Sequence, residues 1–238
     1  MENLKGNNIL RNLALAASSL LFVPAANAQQ VDKKVYDSSY HNYLYDSRTA
    51  YFRQLPVVKK PIVFFGDSIT HWGDWAEFTG FSKVLNRGIS GDNSFGLLAR
   101  LDEVARHQPA KLFVLIGTND LNLNSNAAIQ QVVMNYRRLV QEVSRLSPAT
   151  KIYIQSVFPI NDQLINTKYY KGTNTQVREM NKQLESLARE LSIRYVDVYS
   201  SLLDQSNQLA ARFTYDGLHL SGEGYLAWVN HLKKERLL

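Results

Sequence analysis

The chain has 238 residues, of which 45% are hydrophobic and 20% are charged, and its formal net charge at pH 7 is +6. That length and composition are those of one globular domain with a sizeable core. The absence of cysteine excludes disulfides, thiolate metal sites and a cysteine nucleophile, and a mild basic excess without a dense Lys/Arg run disfavours a nucleic-acid partner.

The first 28 residues have the pattern of a secretory signal peptide. Two basic residues precede an apolar run over 13–23, and the small-residue motif Ala26-Asn27-Ala28 follows it. The run is too short to span a bilayer as a helix, which disfavours a membrane anchor. The sequence therefore predicts a periplasmic or secreted protein, cleaved after Ala28, with no integral membrane segment after cleavage.

Residues 29–60 form a polar, tyrosine-rich N-terminal extension ahead of the main domain, which we place at 61–238. Two alternatives are open for this extension. It is either a flexible lead-in, or it contains a short helix near Asp46 to Leu55 that lies on the domain. Pro56 and Pro61 bracket the entry to the main fold, since proline ends regular structure.

Beyond residue 60, short apolar runs alternate with segments of helical periodicity. The candidate strands are Ile62–Phe65, Val84–Asn86, Leu112–Ile116, Ile152–Val157 and Tyr195–Val198. Apolar residues at helical spacing separate the third, fourth and fifth of these, and a closing helix follows Ser221, a plausible cap. This alternation predicts an α/β fold, a three-layer α/β/α sandwich around a five-stranded parallel sheet in the flavodoxin-like order 2-1-3-4-5.

Polar loops follow the first three predicted strands. Gly66-Asp67-Ser68 follows the first, the segment NRGISGDN with Gly91 follows the second, and GTND with Asn119 follows the third. In the order 2-1-3 these strands are neighbours, so their loops should lie side by side at the carboxyl edge of the sheet, where such folds bind ligands. A fourth loop, DGLH at 216–219, enters the closing helix and is expected to return to the same edge.

These four loops contain what ester hydrolysis requires. Ser68 becomes a nucleophile when a base such as His219 accepts its proton, and Asp216 can hold that imidazole in the correct tautomer. The backbone N–H groups of Ser68 and Gly91 and the side-chain amide of Asn119 can donate to the oxyanion of a tetrahedral intermediate. Each motif alone is equally typical of a turn or a helix cap. The prediction therefore depends on their occurring together and in this order.

Together, GDS at 66–68, Gly91, Asn119 and the Asp-x-x-His of 216–219 resemble the four signature blocks of the SGNH, or GDSL, hydrolases. The resemblance covers essentially all of residues 61–238 and implies a serine esterase without cofactor or metal. By this resemblance, Ser68 is the nucleophile, Asp216 and His219 complete the triad, and Ser68, Gly91 and Asn119 form the oxyanion hole. The segments NRGISGD and RLDEV also resemble the branch with platelet-activating-factor acetylhydrolase-like proteins and exported bacterial acetylesterases.

Three residues that follow the nucleophile are candidates for the wall of an acyl or sugar pocket: His71, Trp72 and Trp75. A packed helix start is an equal alternative for them. Within the esterase class, we expect a small-molecule or glycan substrate with a short acyl group, acetyl on a carbohydrate first and a lysophospholipid or thioester second. The grounds are the predicted export and the absence of a long apolar lid segment near the four blocks.

Two other classes of protein share parts of this pattern. A non-catalytic glycan-binding protein is disfavoured because Ser68, Asp216 and His219 are all present. A phosphate or flavin binder of the same topology would need a loop rich in Gly, Ser and Thr after the first strand. The segment GDSITHW offers one glycine and an acid instead, which disfavours that class as well.

Overall fold

The computed structural model describes residues 38–122 and 126–238, so the predicted signal peptide lies outside the described residues. Five strands form one sheet, namely β1 Ile62–Gly66, β2 Val84–Gly88, β3 Lys111–Leu115, β4 Lys151–Gln155 and β5 Arg194–Val196. All pairings are parallel and the order is β2-β1-β3-β4-β5. The predicted α/β fold, its parallel sheet and its strand order are therefore confirmed.

Helices connect and cover these strands. In chain order they are α1 Tyr43–Gln54, α2 Ser68–His71, α3 Trp75–Thr79, α4 Ser94–Ala99, α5 Leu101–Ala105, α6 Thr118–Leu121, α7 Asn126–Leu146, α8 Asn174–Glu190 and α9 Gly222–Lys234. Short 3-10 turns cover Ser38–Tyr40, Tyr199–Leu202 and Ala211–Phe213. Within the part of the chain that the structure describes, none of the helices combines the length and apolarity that a membrane span requires.

Two apolar clusters, one on each face of the sheet, make up most of the core. Because successive side chains of a strand point to opposite faces, Val63 and Phe65 of β1 pack with α7 and α8. Phe64, between them, packs on the other face with Trp228 of α9 and Trp75 of α3. Burial on both faces explains why these parallel strands read as continuous apolar runs.

The N-terminal extension contains the helix that was one of its two alternatives. Asn42 caps α1 by accepting hydrogen bonds from two backbone N–H groups of its first turn. Tyr45 and Phe52 of α1 pack with Ile89 in a third apolar cluster, and the Tyr45 hydroxyl donates to the carbonyl of Gly96 over 2.8 Å. This helix therefore packs beside the segment that follows β2.

Two glycines allow β1 and β2 to end close to their neighbours at the carboxyl edge. A Cβ on Gly66 would lie 2.2 Å from the carbonyl oxygen of Leu115, and one on Gly88 would lie 2.2 Å from the backbone nitrogen of His71. Real side chains do not tolerate contacts that short. The absence of a Cβ at these two strand ends lets α2 begin directly against the sheet.

Candidate active site

Ser68 is the first residue of α2, and only Asp67 separates it from the end of β1. Asp67 caps this helix through a hydrogen bond of 3.0 Å from the N–H of Ile69. The Ser68 hydroxyl lies 2.9 Å from Nε2 of His219, and Nδ1 of His219 lies 2.6 Å from the Asp216 carboxylate. The structure therefore joins the first and the last predicted loops in one chain of hydrogen bonds.

A tight turn gives the Asp216 carboxylate its contacts with His219. Gly217 has a φ of +82°, and a Cβ there would lie 2.6 Å from the backbone nitrogen of Ile165. Burial raises the pKa of Asp216, but hydrogen bonds from the His219 ring and from the N–H groups of Leu218 and His219 outweigh it and leave the pKa below its ordinary value. An ionised Asp216 accepts a hydrogen bond from Nδ1–H, which holds the ring in the tautomer whose Nε2 is free to accept a proton from Ser68.

The second and third loops meet through Asn119. Its amide Nδ2 donates to the carbonyl of Asp92 over 2.8 Å, one residue after Gly91. Gly91 has a φ of +80°, a conformation that glycine adopts without strain. An amide carries two N–H donors, so a second one remains for another acceptor. The N–H of Ile89 donates to the carbonyl of Gly66 over 3.1 Å, so residues of all four predicted loops are connected at one edge of the sheet.

Three buried aspartates lie directly behind these loops, each adjacent in sequence to a predicted site residue. Asp67 precedes Ser68, Asp92 follows Gly91, and Asp120 follows Asn119, and all three are at least 96% buried. Burial raises the pKa of Asp67 to about 7 and the pKa values of Asp92 and Asp120 to about 6. Because protein encloses these carboxyl groups, their effect on the site is to hold the loops in position.

Arg100 holds this buried layer together, and the sequence analysis did not identify it. Its guanidinium, 1% exposed, pairs with Asp92 at 2.8 Å and donates to the carbonyls of Arg87 and Gly66 at 2.9 and 3.1 Å. It therefore connects the loop after β2 to the ends of β2 and β1. One feature of the sequence could have indicated such a residue. Three signature residues have an aspartate beside them, and a buried carboxylate needs a partner such as an arginine.

The three predicted wall residues have different surroundings. Trp72 is 54% exposed, and its ring stacks on the imidazole of His219 with centroids 4.1 Å apart and planes inclined by 21°. His71 lies against the second loop, where its Nδ1 is 2.9 Å from the Ser90 hydroxyl. Burial, with Arg48 and Arg100 nearby, lowers the pKa of His71, which favours the neutral ring.

The prediction that Trp75 lines a substrate pocket is wrong. Its side chain is 2% exposed, stacks on Phe64 at 3.7 Å and donates from Nε1 to the carbonyl of Thr70 over 2.9 Å. It belongs to the core between the sheet and α9. Trp75 is therefore part of a packed helix start, which was the alternative interpretation.

The described residues contain no group of three or more His, Asp or Glu side chains arranged to bind a metal ion.

Comparison with known proteins agrees with these features. The model of the GDSL-like Lipase/Acylhydrolase family matches residues 64–227. The platelet-activating factor acetylhydrolase IB subunit alpha1 of Rattus norvegicus is 27% identical over 201 residues, which cover 79% of this chain and 76% of that protein. The GDSL esterase/lipase WDL1 of Oryza sativa subsp. japonica is also 27% identical, over 71% of this chain and 75% of its own length.

Solved structures show the same similarity. A Streptococcus pneumonia protein described as a candidate platelet activating factor is 31% identical and covers 81% of this chain and 92% of its own, with a TM-score of 0.73. A GDSL-like lipase from Bacteroides thetaiotaomicron is 24% identical, covers 82% of this chain and 98% of its own, and has a TM-score of 0.69, which shows the shared fold. The chain therefore belongs to the GDSL-like lipase/acylhydrolase family, as the resemblance of its four loops implied, and it is a GDSL-type ester hydrolase.

Proposed function

We propose that this hydrolase is an exported serine esterase that removes short acyl groups, acetyl first, through a triad of Ser68, His219 and Asp216. The observation that carries the proposal is the chain of two hydrogen bonds, 2.6 Å from Asp216 to His219 and 2.9 Å from His219 to Ser68. It gives a hydroxyl, a base and an orienting carboxylate in the sequence that nucleophilic acyl transfer needs.

The reaction proceeds in two halves. In the first, Ser68 Oγ attacks the ester carbon while its proton passes to Nε2 of His219, and Asp216 stabilises the imidazolium. The tetrahedral intermediate collapses as His219 gives that proton to the leaving alcohol, which leaves an acyl ester on Ser68. In the second half, water attacks the acyl ester while His219 takes its proton, and His219 returns that proton to Ser68 Oγ as the second tetrahedral intermediate collapses to the carboxylic acid and free Ser68.

The oxyanion that forms in each half needs donors already in place. We assign the backbone N–H groups of Ser68 and Gly91 and the amide of Asn119 to this hole. Asn119 supports the assignment because one of its N–H groups is fixed on the carbonyl of Asp92 at 2.8 Å. That hydrogen bond orients the amide and holds it beside the Gly91 loop.

The preference for a short acyl group has two supports. Only short connections, with α2 and α3, separate β1 from β2, so no long apolar insertion follows the nucleophile to cover a fatty chain. The rat relative is named a platelet-activating factor acetylhydrolase, and that name supports an acetyl group. A lysophospholipid or thioester remains the second candidate substrate after an acetylated carbohydrate.

The proposed location comes from the sequence. The basic start, the apolar run over 13–23 and the motif ending at Ala28 support a Sec-type signal and a periplasmic or secreted enzyme. We accordingly divide the chain into the signal peptide 1–28, the extension 29–60 and the catalytic domain 61–238. An enzyme in that location meets glycans and external esters.

A fluorophosphonate probe tests the nucleophile, because it reacts only with an activated hydroxyl. The wild type should be labelled, and Ser68→Ala should lose both labelling and several orders of magnitude in kcat. Ser200→Ala, which removes an exposed hydroxyl bonded to Asp197, is the matched control and should behave as wild type. Normal turnover by Ser68→Ala would refute the mechanism.

A substrate panel tests the acyl preference with the same enzyme. p-Nitrophenyl acetate should be hydrolysed faster than the dodecanoate, without activation by a lipid–water interface, and acetylated sugars should be substrates. Faster hydrolysis of the dodecanoate would contradict the acetyl assignment and favour a lipase or thioesterase.

A further inference from the structure

Trp72 lies at the end of the short helix that Ser68 begins. Its backbone N–H donates to the carbonyl of Ser68 over 3.1 Å, and residues four apart share a helix face. The nucleophile and the indole are therefore held by one turn of backbone. The same turn brings the indole to the base that Ser68 contacts.

The contact between Trp72 and His219 is a stacked one. Their ring centroids are 4.1 Å apart and the planes are inclined by 21°, so the imidazole lies over the indole face. The His219 side chain is 20% exposed and Trp72 is 54% exposed. One face of the indole is thus occupied by the imidazole, while much of the remaining ring is in contact with solvent.

We propose that Trp72 is a positioning residue for His219, which it orients and whose protonated form it stabilises. The proposal rests on the triad assigned above. Taking the proton of Ser68 turns His219 into an imidazolium, and the electron-rich face of a tryptophan attracts a cation. The stacked indole also restricts rotation of the imidazole, so that Nε2 stays directed at Ser68 while Nδ1 stays on Asp216.

The groups that surround His219 allow this effect to be isolated. The ionised group in direct contact with it is Asp216, at 2.6 Å. The titratable groups of the adjacent helix and its cap are Asp67 and His71, and Tyr225 of α9 donates to the Ile69 carbonyl of the same helix. A substitution at Trp72 changes the charge of none of them.

The expected effect has a definite sign and size. A partly exposed cation–π contact changes an equilibrium by about two- to five-fold. Loss of the indole should therefore lower kcat by about two- to five-fold. The loss should fall on kcat rather than on KM, because the imidazolium exists only once Ser68 has given up its proton. A residue that only lines a pocket would raise KM and leave kcat in place.

The test compares Trp72→Leu, which keeps apolar bulk, with Trp72→Phe, which restores an aromatic face. Phe81→Leu is the matched control, since Phe81 is 41% exposed and lies before β2, at the opposite edge of the sheet. With p-nitrophenyl acetate, the leucine variant should show the full loss of kcat, the phenylalanine variant a smaller loss, and the control none. An equal loss of kcat in the leucine variant and the control, or a change in KM alone, would overturn the proposal.

Tryptophan fluorescence gives a readout that does not need turnover. The other two tryptophans, Trp75 and Trp228, are buried, and a protonated imidazole quenches an indole that it contacts. In a Ser68→Ala background, emission should fall as the pH is lowered, and the fall should vanish when Trp72→Phe is added. Failure of this titration refutes the stacking contact, whereas failure of fluorophosphonate labelling refutes the triad, so the two proposals fail separately.

Discussion

Replacing Asn119 by alanine tests the oxyanion hole, because the structure separates its two contributions. One N–H of the amide donates to the carbonyl of Asp92 over 2.8 Å. The other is the donor that we assign to the oxyanion. Asn119→Ala removes both, so its effects on stability and on turnover are measured in the same variant.

The two losses differ greatly in size. One hydrogen bond contributes about 0.5–1.5 kcal/mol to stability, which lowers the Tm of a domain this large by a few degrees. One oxyanion donor contributes about 10²–10³ in kcat, or about 3–4 kcal/mol. Because the negative charge develops only toward the tetrahedral state, the loss should fall on kcat more than on KM.

The assay is steady-state hydrolysis of p-nitrophenyl acetate, corrected for active sites by fluorophosphonate titration, with Tm measured in parallel. The matched control is Asn122→Ala, because the Asn122 amide donates to the Tyr169 carbonyl at 3.1 Å and accepts from the Lys171 N–H at 2.7 Å. The control should lose stability and keep kcat. Asn119→Asp should be at least as slow as Asn119→Ala, since it places a negative charge beside the oxyanion. If Asn119→Ala melts lower but each labelled molecule turns over normally, Asn119 is only a turn residue.

Three further predictions concern buried charge and export. Arg100→Met leaves the Asp92 carboxylate buried without its partner, so denaturant titration should show a loss of about 3–5 kcal/mol; a loss below about 1 kcal/mol would contradict the ion pair. Burial raises the pKa of Asp67 from 3.8 to about 7, so its contribution to stability is full below about pH 4 and lost as the pH rises to about 7. Asp67→Asn should therefore unfold with a shallower pH dependence between those values, and an unchanged slope would refute the assignment. N-terminal sequencing of protein from its native host should begin at Gln29; an intact Met1 on the active enzyme would refute cleavage.

The sheet was predictable from the sequence because strands covered on both faces are continuous apolar runs. The residues at which the strands end were harder to predict from the sequence. Ile116, Val157 and Val198 were assigned to strands but lie beyond β3, β4 and β5, and each is at most 1% exposed. A buried loop residue and a buried strand residue are equally apolar, so hydrophobicity alone does not mark where pairing stops.

The predicted strand order was enough to place the four loops together. It was not enough to predict the direction in which each side chain points. Trp72 and Trp75 are three residues apart, yet Trp72 is 54% exposed and Trp75 is 2% exposed. Gly73 and Asp74 lie between the two indoles, after α2 has ended and before α3 begins, and they redirect the chain there. Arg100 was missed for a related reason, since an arginine in a sequence is usually at the surface and only the fold shows the carbonyls and the carboxylate around it.

The buried layer behind the site explains how loops can be rigid enough for an oxyanion hole. Such a hole is effective only when its donors are fixed before the charge appears, and loops are usually the more mobile part of a fold. Arg100 joins Asp92, which follows Gly91, to the carbonyls of Gly66 and Arg87 at the ends of β1 and β2. A buried ion pair is a poor source of net stability, but it fixes geometry through directed hydrogen bonds. We therefore expect apolar replacement of both partners, Arg100→Met with Asp92→Leu, to recover much of the stability lost in Arg100→Met while kcat stays low; recovery of kcat would show that the pair does not position the hole.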